Sequence, residues 1–141
     1  MIALVCDHGG FELMKSIREH LDFKGAKYKD FGTFTSDSCD YPTVALPAVE
    51  AILTGVCEKG IFICGTGIGI SIAANRSHGI RAALCTNVFM AEMARAHNDA
   101  NVLALGGRVV DTALAVEIVD MFLSAEFSGE NRHKHRIELM S

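Results

Sequence analysis

Cys64 runs directly into Gly65-Thr66-Gly67-Ile68-Gly69, a thiol at the lip of a glycine-rich turn. Between an apolar run and a helix-length segment, such a turn can aim backbone N–H groups at an anion, helped by the helix dipole. Tight βα connections also use glycine for geometry alone, so composition leaves both readings open. A dinucleotide fingerprint would need glycine where Ile70 stands, and the next strand ends in Cys85-Thr86-Asn87 with no acid for a ribose. No Lys-Ser or Lys-Thr follows the glycines, which removes a P-loop. A helix N-terminus draws a thiol pKa from ~8.5 toward neutrality. A thiolate beside oxyanion donors suits acyl transfer or removal of a proton next to a carbonyl, and the polar neighbours favour the second.

Four further groups could share that chemistry. Asp7 and His8 end the first apolar run, where a carboxylate and an imidazole can move protons and steady an anion, although an Asp in this position also caps helices. His97-Asn98-Asp99 closes a helix, remote from its own chain's strand ends. It either terminates that helix, which the residues alone favour, or enters a neighbouring subunit's site. Arg108 follows Gly106-Gly107 at a strand end and is a candidate phosphate contact. In the tail, Arg132-His133-Lys134-His135-Arg136 places Arg132 and Arg136 on one helical face, able to clamp a phosphate or simply solvated at a terminus.

Positioning these groups falls to alternating short β-type runs and helix-length amphipathic segments. The pairs are 2–6 with 11–23, 28–31 with 42–53, 60–64 with 68–75, 82–85 with 88–97, and 102–105 with 112–123. Strands such as Ile61-Phe62-Ile63 are continuously apolar, as when helices cover both faces of a parallel sheet. The expected fold is a three-layer, Rossmann-like α/β sandwich with five parallel strands, a single unit over 1–141 with 129–141 as a basic helical appendage. Ligands of such sheets bind at the strand ends flanking the chain's reversal, and the first and third ends are the expected neighbours.

The 141 residues are 50% hydrophobic and 21% charged, enough apolar mass for a core. A net charge of -4 argues against a nucleic-acid coat, so an anionic ligand needs a local basic site. No run reaches the ~20 apolar residues of a membrane helix. The start carries neither a basic leader nor a cleavage site, which leads to an expected cytoplasmic location. Five cysteines without a CxxC pair fit neither a disulfide scaffold nor a zinc site; Cys6 and Cys85 read as small buried hydrophobes.

Asp7-His8-Gly9-Gly10, Asp40-Tyr41-Pro42, Cys64 to Gly69, Asn75, Gly79-Ile80-Arg81-Ala82, His97-Asn98-Asp99-Ala100-Asn101 and the Arg-rich tail together resemble ribose-5-phosphate isomerase type B over nearly the whole chain. The resemblance implies interconversion of D-ribose 5-phosphate and D-ribulose 5-phosphate through an enediolate, in the non-oxidative pentose phosphate pathway, without metal or organic cofactor. It implies a homodimer or tetramer with sites at the interface. Cys64 is similar to the family's base, and Thr66 with the amides of Gly65, Gly67, Ile68 and Gly69 to its enediolate-stabilising group. His97 resembles the ring-opening residue, reaching in with Asn98 from the partner, and Asp7 the carboxylate at the ring-opening end. His8, Arg108, Arg132 and Arg136 match the phosphate-binding set and Tyr41 a pocket wall. Some members instead use a glutamate slightly further on; that position is Ile70 here, which places the chain in the cysteine branch. Alternatives are a galactose-6-phosphate isomerase subunit, an allose-6-phosphate isomerase, or a phosphate- or nucleotide-binding module without turnover.

Overall fold

The computed structural model describes residues 1–141. Five strands, β1 (Ile2–Cys6), β2 (Tyr28–Asp30), β3 (Lys59–Cys64), β4 (Ala82–Leu84) and β5 (Val102–Gly106), alternate with α1 (Phe11–Lys24), α2 (Tyr41–Leu53), α3 (Ile68–Asn75), α4 (Val88–Ala96) and α5 (Thr112–Ser124). The tail forms α6 (Asn131–Met140). All strand pairs are parallel, in the order β2-β1-β3-β5-β4. From β1 the chain steps outward to β2 and then crosses back to β3 on β1's other side. The reversal therefore lies between β1 and β3, as the sequence reading expected. No helix is long and apolar enough to cross a membrane.

Alternation along the strands divides the core into two layers. Leu4, Cys6, Ile61, Ile63, Leu103 and Leu105 face α1, α4 and α5, whose Met14, Ile17, Ala91, Ile118 and Phe122 close that side. Ala3, Val5, Phe62, Cys64 and Ala104 face α2 and α3, packing on Ala48, Val49, Ile70 and Ala74. Cys64 thus extends the α2/α3 face of β3 by one residue at its carboxyl end. Cys6 and Cys85 are buried as expected; burial pushes their thiols up to about 12 and about 11, with Asp30 adding to the effect at Cys6.

Element limits differ from the sequence reading by a residue or so at most ends, and a 3-10 turn over His8–Gly10, not foreseen, joins β1 to α1. Asp7 creates it: Oδ1 accepts the Gly9 and Gly10 amides at 2.8 and 3.2 Å. The capping role weighed for this aspartate is therefore present, with one oxygen serving it.

Close backbone approach at the strand ends requires glycine. A Cβ on Gly107 would lie 2.5 Å from the Gly9 carbonyl oxygen, and one on Gly106 would lie 2.6 Å from the Thr66 carbonyl. Gly107→Ala should therefore cost ~1–3 kcal/mol through backbone displacement, lowering Tm by several degrees. Thermal unfolding checks this; an unchanged Tm would show that the three connections can part without strain.

Candidate active site

Three strand ends build the site. After β3, Gly67 takes a left-handed φ of 79° that turns the chain into α3, and its N–H donates to Cys64 Sγ at 3.1 Å. Thr66 is exposed, and its Oγ1 accepts the Ile68 amide at 3.2 Å. The amides of Gly65, Thr66, Gly69 and Ile70 find no acceptor within the protein, as expected for a helix's first turn and the loop before it. Carbonyls of the same loop are taken: Cys64 O accepts from Gly107 N at 2.8 Å and Gly65 O from Arg108 N at 3.0 Å. The loop consequently presents donors outward and hides acceptors.

Around it, Asp7 is buried one residue beyond β1, its N–H bonded to Ile63 O at 3.1 Å. His8 is half-buried, and its Nδ1 accepts the Cys39 amide at 3.2 Å, which leaves Nε2 to carry the proton of the neutral ring. Tyr41, the first residue of α2, lays its ring on Gly69, where a Cβ would sit 2.6 Å from the phenol oxygen. Arg108 is exposed with Nη1 over Gly65. Asp7, His8, Tyr41, the Cys64 to Gly69 loop and Arg108 thus converge as expected. Cys64 itself is only 4% exposed, and none of the three surface clefts includes it.

His97, Asn98, Arg132 and Arg136 are not brought to this end. His97 is the C-cap of α4, its N–H bonded to Met93 O at 2.9 Å, so the terminating role that the residues favoured is realised. The segment after it meets the opposite edge of the sheet, where Gly60 N bonds Asn101 O. Cys64 lies four residues further along β3, roughly 13 Å away at strand rise. Arg132 is exposed and paired with Glu130 at 3.1 Å. Arg136 is exposed on the same helix.

Two features of this second corner escaped the sequence reading. His133, grouped there with the cationic run, is buried and stacks on His97 with ring centroids 4.1 Å apart and planes inclined by 16°. Its Nε2 is buried without a partner. Arg81 and Arg95 both bind Asp99, and Arg81 also holds the Asn98 and Asp99 carbonyls. The i,i+4 spacing of Arg95 and Asp99 was the one local signal available; nothing local marks the Arg81 contacts or the His97–His133 stack.

A model of the family described as Ribose/Galactose Isomerase matches residues 2–140. The chain is 47% identical to ribose-5-phosphate isomerase B of Escherichia coli (strain K12) over 140 residues, covering 99% of this chain and 93% of that one. Among solved structures, ribose-5-phosphate isomerase B of Clostridium thermocellum superposes with a TM-score of 0.96 at 52% identity, covering 99% and 93% of the two chains. That of Thermotoga maritima gives 0.96 at 48%, covering 99% and 95%. A three-layer parallel α/β sandwich with amide donors gathered at its switch point defines the class. The chain belongs to the ribose/galactose isomerase family.

Burial, then the neighbouring His97 and Arg132, pull the His133 imidazole below its ordinary value of 6.5. The fold favours the neutral ring, so the stack contributes fully above that value and is lost as pH falls through the lower folded value. Lowering pH from about 7.5 to about 5 should accelerate amide exchange in α6 relative to β3, and His133→Phe should remove the difference. Hydrogen exchange read by mass spectrometry checks this; unaltered α6 protection in the parent chain would contradict it.

Proposed function

We propose that this sugar-phosphate isomerase interconverts D-ribose 5-phosphate and D-ribulose 5-phosphate through an enediolate, as a step of the non-oxidative pentose phosphate pathway. The reading rests chiefly on Cys64, whose sulfur accepts the Gly67 amide beside four amides with no protein acceptor. In this reading Cys64 takes the proton from C2 of the open-chain aldose and a proton is delivered to C1. Thr66 and the free amides carry the negative charge that grows on the oxygens between those steps. Asp7, with Oδ1 held by two amides, presents its other oxygen to the sugar, and Tyr41 closes the wall beside Gly69. His8 and Arg108 take the phosphate together with Arg132 and Arg136.

His97 opens the furanose ring, moving the proton of the anomeric hydroxyl to the ring oxygen, with Asn98 beside it. These two and the α6 arginines reach Cys64 from a second copy of the chain. Support comes from their separation from Cys64 within one chain and from the exposed apolar side chains Leu46, Leu53, Ile68 and Ile72 along α2 and α3, the two helices that begin beside the loop. An apolar surface of this kind suits an isologous homodimer interface.

In a coupled assay of ribose 5-phosphate turnover with chelator present, Cys64→Ala should lower kcat by at least ~10²-fold with KM little changed. Near-normal turnover would remove Cys64 as the base. Mixing Cys64→Ala with His97→Ala subunits after reversible dissociation should restore about a quarter of parental activity. Half the dimers formed at random are mixed, and each mixed dimer carries one intact site of two. Activity no greater than that of the separate variants would exclude a shared site.

A further inference from the structure

We infer that Asp99, clamped between Arg81 and Arg95, is a positioning residue for ring opening, locking the turn that delivers His97 and Asn98 and acting on the reaction only through them. The inference rests on the role proposed above for His97.

Asp99 is the single non-glycine residue with positive φ, at 44°. Elsewhere the chain meets this need with glycine, at Gly25, Gly32, Gly55, Gly67, Gly79 and Gly129, because a Cβ disfavours the left-handed region. The turn between α1 and β2 is an internal comparison. It reverses the chain at Gly25 with backbone bonds alone, Gly25 N to Asp22 O and Ala26 N to Leu21 O. The turn between α4 and β5 makes a similar reversal with an aspartate and two guanidinium groups.

The clamp is extensive for so short a segment. Asp99 Oδ1 accepts from Arg95 Nη1 at 2.9 Å and Oδ2 from Arg81 Nη2 at 3.4 Å. Arg81 Nη2 also donates to the Asp99 carbonyl at 2.8 Å and Arg81 Nε to the Asn98 carbonyl at 2.9 Å. Arg95 is 9% exposed, donates onward to the Ala100 and Ala125 carbonyls, and has its guanidinium carbon 5.9 Å from the centre of the Phe122 ring. Arg81 stands at the entry to β4, where its own N–H bonds Asn101 Oδ1 at 2.8 Å. The turn is thereby tied to the last turn of α4, to β4 and to the core.

The two turns differ in what they carry. The α1 turn presents no group to the proposed site, and a glycine there is free to fluctuate. The α4 turn begins at His97, half-buried against His133, and the exposed Asn98, and in the proposed site both must hold their geometry toward a sugar bound beside another subunit's thiol. Charge-assisted bonds to both the carboxylate and the two carbonyls remove the freedom a glycine would leave.

A double-mutant cycle on the full-length protein tests this. Asparagine keeps the left-handed conformation while removing the charge that binds both arginines. Asp99→Asn should lower kcat ~10-fold with KM within about twofold and Tm within a few degrees, and His97→Ala should lower kcat ~10²-fold. The double variant should fall within about twofold of His97→Ala, because the clamp has nothing left to position. Multiplied losses, near ~10³-fold, would overturn the inference, since a general structural weakening persists without His97. An unaffected Asp99→Asn would overturn it as well. His97→Ala at parental rates would instead dismiss the ring-opening role itself, and the clamp's function with it. Should Asp99→Asn not fold, Arg81→Lys keeps the charge but cannot span both carbonyls, and the same cycle is read with it.

Discussion

Backbone packed against backbone at the switch point between β1 and β3 is the constraint from which the rest follows. Gly9 and Gly10 leave no side chain between the β1 end and the Ile63 to Gly65 backbone, and Gly106 and Gly107 do the same for the β5 end. Bonds from Asp7 N to Ile63 O, Gly107 N to Cys64 O and Arg108 N to Gly65 O then consume the carbonyls of the β3 end one after another. With the Ile63, Cys64 and Gly65 carbonyls spent on neighbours, the loop offers a ligand chiefly N–H groups and the exposed Thr66 hydroxyl. Its preference for anions is thus a consequence of how the sheet closes around it, independent of any cationic side chain.

Strand alternation and helix direction place the other group of candidate residues diagonally opposite. Cys64 faces the α2/α3 layer at the carboxyl end of the sheet. His97 ends α4, which packs in the other layer and runs back toward the amino end. The sheet stands between the two, and β5, buried along its whole length, cannot move aside without opening the core. No plausible loop motion within one chain unites these corners. A site that uses both needs a second chain, and the isologous symmetry of such a pair would complete two sites at once.

The βα units were legible because four of the five strands centre on short apolar runs and the helices carry apolar stripes; β2, Tyr28-Lys29-Asp30, is polar and was legible only by its place in the alternation. The convergence of Asp7, His8, the Cys64 to Gly69 loop and Arg108 was legible too, since these residues follow strand ends and need only the topology rule to be brought together; Tyr41, which follows no strand, came from the family resemblance. Part of what escaped depends on contacts distant in sequence. His133 sits in a stretch whose local composition says solvated cation, and only its stack on His97 buries it. Asp99 occupies a left-handed position where glycine is the usual marker, so the turn signal was missing, and the arginines that compensate come from position 95 on the preceding helix and position 81 before β4. The 3-10 turn at His8, by contrast, is local, the product of one carboxylate oxygen capturing the amides two and three residues on.

Charge distribution bears on how two copies would meet. On a chain of net charge -4, Arg108 lies at the Cys64 corner, Arg132 and Arg136 at the His97 corner. Bringing the corners together in the proposed dimer gathers like charges, which is unfavourable until an anion neutralises them. The attraction that holds the copies must then come from elsewhere, and the exposed Leu46, Leu53, Ile68 and Ile72 offer apolar area for it. Under this division the apolar face would sustain the assembly while Arg108 and Arg136, and Arg132 on leaving Glu130, would be available to a phosphate. Ligand binding would relieve their repulsion, so substrate and partner would reinforce each other's binding by linkage, with the phosphate as the shared term.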